Sequence, residues 1–320
     1  MIIKAKQKFK ILIRLVVVRR DYSTYGLLKS CLESLGCKVL IVSSNNFTLA
    51  LKFWKPDGVV VHTLKSGETA LKIVPTTKLF FLDAEGFRPE DKCHAVFFLK
   101  QKKTIKKFSK FLFWGRQILK EFEKIAPELD VPNIRIIGNP KFDLARYIKS
   151  ENIKNSKTKT IGILTRFHVL NNHFGRPVIF SLANNLGKYK YVDTQMKTFI
   201  ALINICKDII KNTNYNISIR VHPFEAIDGY KNNLKRWFGE ENLKRLSIDE
   251  SLDFSHWVSK QKVVITPTSN AITECYLLNI PVINIDKIAN VVQFNKNIDK
   301  VVEDWFQGVY LPSNSKDLIK

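Results

Sequence analysis

Acidic residues are in short supply: 29 Asp and Glu face 52 Lys and Arg across 320 residues, for a formal net charge of +23. Cysteine is sparse as well. The five, Cys31, Cys37, Cys93, Cys206 and Cys275, include no C-x-x-C pair and are odd in number. That argues against a disulfide framework or a structural zinc site and suits a reducing cytoplasm. Gly 13 and Pro 11 are too few for a fibrous or low-complexity chain. No apolar run approaches the ~18 residues needed to span a bilayer; the longest strand-like stretch, Ile11–Val18, is broken by Arg14. The opening residues, MIIKAKQKFK, are basic without an apolar h-region, so no secretory signal is expected.

What is present is enough apolar material, 45% of residues, to build real cores in about two domains. Short apolar runs alternate with helical stretches. Strands are expected at Ile11–Val18, Lys38–Ser43, Gly58–His62, Lys78–Leu82, Ala95–Leu99 and Ile134–Gly138, with helices such as Thr24–Leu35 and Gln117–Ile125 between them. A polar stretch at 150–158 reads as a linker. The alternation then restarts with strands at Thr160–Leu164, Ile217–Val221, Lys262–Thr266 and Pro281–Ile285. Helices are expected near Asp193–Lys211 and Ile227–Phe238 and over Asn270–Leu278. Alternation of this kind implies βαβ units and parallel sheets. The expected fold class is therefore α/β: two Rossmann-like, doubly wound domains, 1–150 and 151–320, facing a cleft.

Three segments place chemistry at strand ends in the second domain. In Asn216–Glu225, NISIRVHPFE, an apolar strand runs into His-Pro. Proline stops the sheet and fixes His222 at the carboxyl end of a strand, where open α/β sheets bind ligands. Arg220 offers a fork suited to phosphate. The alternative is a plain strand end with a capped histidine. In Val263–Ile285, Thr268 and Ser269 sit where a helix begins, an arrangement that suits an anion, and Glu274 follows on that helix. An ordinary N-cap with a surface Glu is the alternative. Arg166 lies just past the strand Thr160–Leu164; His168 and His173 share its loop, with no Cys or acid to complete a metal site.

In the first domain, the strand at Lys78–Leu82 delivers Asp83 and Glu85 into a turn closed by Gly86. Paired acids there are candidates for acid/base or nucleophilic chemistry, or for capping the next helix. Arg20 and Asp21 carry the same ambiguity after the first strand. Ile136–Asp143, IIGNPKFD, reads as a strand, a rigid Gly-Asn-Pro turn and a helix. Charge is concentrated in this half: residues 1–150 hold 29 Lys and Arg against 13 Asp and Glu, a field that draws in polyanions. Lys102, Lys103, Lys106 and Lys107, next to Phe108, Phe111, Phe113 and Trp114, suit an anionic membrane surface or a nucleic acid; a solvated helix face is the bland alternative.

The order LDAEG, FWG, IIGNPKFD, ILTRF, IRVHPFE and TPTSNAITECYLLNIPVINI, over about residues 10–290, resembles bacterial surface carbohydrate biosynthesis proteins. These are GT-B-type glycosyltransferases similar to the β-Kdo transferases of capsule and lipopolysaccharide assembly. The resemblance implies donor binding at His222, Thr268, Ser269 and Glu274, supported by Arg166 and Arg220. It places the catalytic acid on Glu85, with Asp83 and Asp21 next in line. It further implies a nucleotide sugar as substrate, a lipid-linked glycan as acceptor, and a cytoplasmic enzyme held peripherally on the inner face of the cytoplasmic membrane. The sequence has no Asp-x-Asp motif, so no metal or other cofactor is expected, and a CMP-linked ulosonic acid such as Kdo, with its single phosphate, is preferred as donor. Two enzymatic alternatives share the fold, a CDP-polyol phosphotransferase and a sugar-nucleotide epimerase. A basic nucleic-acid-binding protein is the non-enzymatic one. Nucleic acid is not the expected partner, because no helix-turn-helix, RNP-type or zinc motif is visible.

Overall fold

Side-chain alternation builds the first sheet. In β1 (Lys10–Leu15), Ile11, Ile13 and Leu15 point to one face and Leu12 to the other; in β3 (Gly58–Val61) and β4 (Lys78–Leu82), Val60 and Leu82 share the first face while Val59, Val61, Leu79 and Phe81 share the second. Both faces are buried, as a parallel sheet flanked by helices requires. The structure is a computed structural model that describes residues 8–83, 98–127, 131, 133–152, 159–184, 189–291 and 308–319. With β2 (Lys38–Ser43), β5 (Lys110–Phe113) and β6 (Ile134–Ile136), the strands form a six-stranded parallel sheet in the order β2-β1-β3-β4-β5-β6. Helix α1 (Val18–Ser34) covers the Ile11 face through Tyr25; α2 (Phe47–Trp54) and α3 (Leu64–Ile73) cover the Leu12 face.

The second sheet comprises β7 (Thr160–Leu164), β8 (Asn216–Arg220), β9 (Leu246–Asp249), β10 (Val263–Thr266) and β11 (Val282–Asn284). All pairs are parallel, in the order β11-β10-β7-β8-β9. The chain runs β7-β8-β9 one way and then returns to the far side of β7, so the topological switch point lies between β7 and β10. The helix Tyr189–Asn212 covers this sheet with Leu202, Ile205 and Ile209. The chain divides into two units, Met1–Leu144 and Ala145–Lys320. The division falls inside the helix Pro140–Asn152, ahead of the polar stretch, whose residues 153–158 lie outside the described ones. Among the described residues no helix is long and apolar enough to cross a membrane.

Several elements differ from expectation. β1 stops at Leu15, and Val18 already opens α1, which puts Asp21 inside a helix. Of the strand expected at Ala95–Leu99, the described residues Phe98 and Leu99 are helical. The stretch Ile227–Phe238 splits into two short helices, and β9, a polar edge strand, was not expected. Most consequential is β5. Phe111 and Phe113 belong to a strand facing the core, and with Phe108 and Phe98 they surround Phe81; the Phe81–Phe111 and Phe98–Phe111 ring centroids are 5.6 and 5.4 Å apart. These aromatics, and Trp114, are therefore interior and do not form a surface beside the lysines. Lys102, Lys103, Lys106 and Lys107 themselves are exposed.

Candidate functional site

The carboxyl edge of the second sheet gathers most of the residues singled out from the sequence. Three apolar strands, β7, β8 and β10, lie side by side, so the loops that follow them converge. Arg166, exposed after β7, donates from Nη1 to the Thr268 carbonyl after β10 at 2.5 Å. This bond spans the switch point, where doubly wound sheets bind ligands. His222 follows β8. Its N–H donates to Thr165 Oγ1 at 2.9 Å, and its Nδ1 accepts the Phe224 N–H at 3.2 Å. With Nδ1 accepting, the proton of the neutral ring resides on Nε2.

His168 stands beside His222, with ring centroids 5.8 Å apart. Burial, and secondarily the charge of Arg166, lower its pKa. The ring is thus held neutral at pH 7, its Nδ1 buried without a hydrogen-bond partner among the described residues. The loops that carry both histidines are tied together by Glu225, which no local sequence motif marks. It is 1% exposed and accepts the Phe167 N–H at 2.6 Å, the Thr165 hydroxyl at 3.1 Å and the Tyr230 hydroxyl. Burial and the neighbouring Glu225 raise the Tyr230 pKa well above its ordinary value, so the phenol stays a donor. One buried carboxyl group thereby fixes the loop after β7 and, through Thr165, the backbone of His222. The only sequence signal was its place at the end of His-Pro-Phe-Glu.

The remaining donor-site residues behave differently. Thr268 gives both its N–H (3.0 Å) and its hydroxyl (2.5 Å) to Asp286 Oδ2, which follows β11 and was not singled out from the sequence. The Ser269 hydroxyl accepts the Ala271 N–H at 3.3 Å. Arg220 is 6% exposed and pairs with Asp249 and, at 2.9 Å, with Ser251. Its guanidinium also lies over the rings of Phe254 and Trp257. The fork expected to face phosphate instead ties β8 to β9, which corrects its assignment. Glu274 is buried and accepts the Ser255 hydroxyl at 3.3 Å, so its carboxyl group turns toward the helix Phe254–Val258.

In the first unit, Asp83 is 0% exposed; its carbonyl accepts the Trp114 indole N–H at 2.7 Å and the Asn139 amide at 3.1 Å. Its carbonyl thereby ties the end of β4 to Trp114 and Asn139. Asn139 belongs to the Gly-Asn-Pro turn, where Gly138 adopts φ 77°, the left-handed region that glycine enters without strain. Asp21 is ion-paired with Arg20 at 2.6 Å and, with Asp83, contributes to raising the pKa of buried Tyr25, for which burial is the largest cause. Glu85 lies outside the described residues. Among the described residues no group of three or more His, Cys, Asp and Glu is placed to hold a metal ion.

No protein-family model matches the chain, and no curated protein matches it. Solved structures do. The UDP-GlcNAc 2-epimerase of Methanocaldococcus jannaschii, in complex with UDP-GlcNAc and UDP, aligns over 97% of this chain and 91% of its own, with a TM-score of 0.59 and 14% identity. The Neisseria meningitidis UDP-GlcNAc 2-epimerase bound to UDP-GlcNAc covers 97% and 90%, at 0.56 and 12%. The wall teichoic acid polymerase TagF covers 97% and 79%, at 0.53 and 12%. At such identities the likeness establishes the fold. The chain has the expected α/β architecture of two Rossmann-like units, shared with these GT-B proteins.

Proposed function

We propose that the protein is a nucleotide-sugar enzyme of surface carbohydrate assembly, and that it transfers a sugar, from a CMP-linked ulosonic acid in the preferred case, to a lipid-linked glycan acceptor. The observation that carries this reading is the bridge from Arg166 to Thr268 across the β7/β10 switch point, with His222 locked beside it. Departure of the nucleotide leaves negative charge on its phosphate. A permanent guanidinium, an imidazole N–H and the Ser269 hydroxyl are suitable donors for that charge. The carboxylate that acts on the sugar is assigned to Glu85, with Asp83 and Asp21 next in line. The acceptor and the inner membrane face belong to the same proposal, as does independence from a metal.

A second reading is epimerisation of the nucleotide sugar without any acceptor. It is favoured by the likeness to UDP-GlcNAc 2-epimerase structures, two of which hold UDP-GlcNAc. Product analysis separates the two. The protein is incubated with CMP-Kdo and a membrane glycolipid extract, and separately with UDP-GlcNAc alone; nucleotide and sugar products are followed by NMR. Transfer predicts release of CMP that depends on the extract. Formation of the C2 epimer of UDP-GlcNAc, with no acceptor-dependent release of CMP, would replace transfer by the second reading.

A further inference from the structure

The layer over the Leu12 face of the first sheet has two sides. Inward, Phe47 and Leu51 of α2, Leu64 and Ala70 of α3, and Ile105 and Phe108 join one core. Outward, α2 exposes Leu49 (54%) and Phe53 (82%). These two lie four residues apart and so share one helix face; Lys52 and Lys55, also exposed, stand next to them. On α3, Lys65 and Lys72 are exposed; on the segment 98–107, Lys100, Lys103, Lys106 and Lys107 are as well. Across Phe47–Lys55, Leu64–Ile73 and Phe98–Lys107 there are nine lysines, no arginine and a single acid, Glu68, which accepts the Thr104 hydroxyl.

We propose that this layer docks on an anionic bilayer, its lysines on the headgroup phosphates and Leu49 and Phe53 in the acyl boundary. An amphipathic surface with lysines around an apolar pair has the composition of an interfacial anchor. Each lysine close to anionic headgroups strengthens binding by about fivefold. The same surface fits a polynucleotide poorly. Single strands are held by arginine forks and by stacking on aromatic rings, and this layer has no arginine and one exposed ring. The apolar side chains that insert are thus Leu49 and Phe53, since Phe108, Phe111 and Phe113 are occupied by the core. The surface belongs to the first unit and rests on the membrane-face part of the proposed function; it stands or falls apart from nucleotide binding by the second unit.

The full-length chain is sedimented with vesicles of phosphatidylcholine, with and without about 30% phosphatidylglycerol. Three proteins are compared: wild type, Leu49→Ser/Phe53→Ser and Lys103→Glu/Lys106→Glu/Lys107→Glu. Wild type is expected to bind only the anionic vesicles, and each variant to bind them at least about tenfold more weakly, with melting temperature and nucleotide affinity unchanged. Equal binding to neutral vesicles would overturn the proposal, as would wild-type binding by either variant. So would tighter binding to single-stranded RNA than to vesicles that ignores the Leu49 and Phe53 changes, which would assign the surface to nucleic acid.

Discussion

Glu225 does more for the candidate site than the residues that would touch a ligand. Its carboxyl group answers three donors, Phe167 N–H, the Thr165 hydroxyl and the Tyr230 hydroxyl, drawn from two stretches of chain. Removing it leaves buried donors with no acceptor, at about 1–3 kcal/mol each, not fully additive. Glu225→Ala is expected to cost about 3 kcal/mol or more in urea unfolding, and Glu225→Gln distinctly less, because a carbonyl oxygen remains to accept. A loss under about 1 kcal/mol for the alanine variant would show that the loop is held by other means. The residue was hard to see in the sequence because its partners Thr165 and Phe167 lie 60 and 58 positions away. His222, by contrast, was legible locally, since strand termination by Pro223 is a property of neighbouring residues. Arg220 shows the opposite failure. The sequence shows a cation at a strand end, but Asp249 comes from β9, an edge strand too polar to be recognised.

At the scale of elements, continuous apolar runs between polar flanks were read to the residue: β2, β4 and β7 begin and end where expected. β5 was not, because four residues following a lysine-rich turn resemble an amphipathic surface until Phe81 and Phe98 are seen to pack on them. The same aromatic cluster governs α3. Gly67 is interior to that helix, where alanine normally gains about 1 kcal/mol. Here a Cβ would lie 2.4 Å from Phe108 Cζ, 2.9 Å from its Cε2 and 3.1 Å from Leu79 Cδ1. The glycine lets α3 approach the ring, so overpacking of about 1–3 kcal/mol should outweigh propensity. Gly67→Ala is expected to lower the urea midpoint; a raised midpoint would mean that Phe108 moves aside freely.

At the scale of the whole molecule, the two sheets were foreseeable because alternating strand and helix signals survive errors of a few residues at each boundary. Their strand order was not, since pairing across 100 residues leaves no local trace. That order is what turns scattered residues into a site: β10 returns beside β7, and only then do Arg166 and Thr268 meet. Nucleotide binding at this edge of the second unit is tested by calorimetric titration of CMP, CDP, UDP and GDP into wild type, Arg166→Ala and His222→Ala. At least one nucleotide should bind the wild type. Each variant should bind it about 10- to 150-fold more weakly while remaining folded, the loss expected for one hydrogen bond to a charged group. Absence of binding by any of the four nucleotides, or affinities unchanged in both variants, would contradict it.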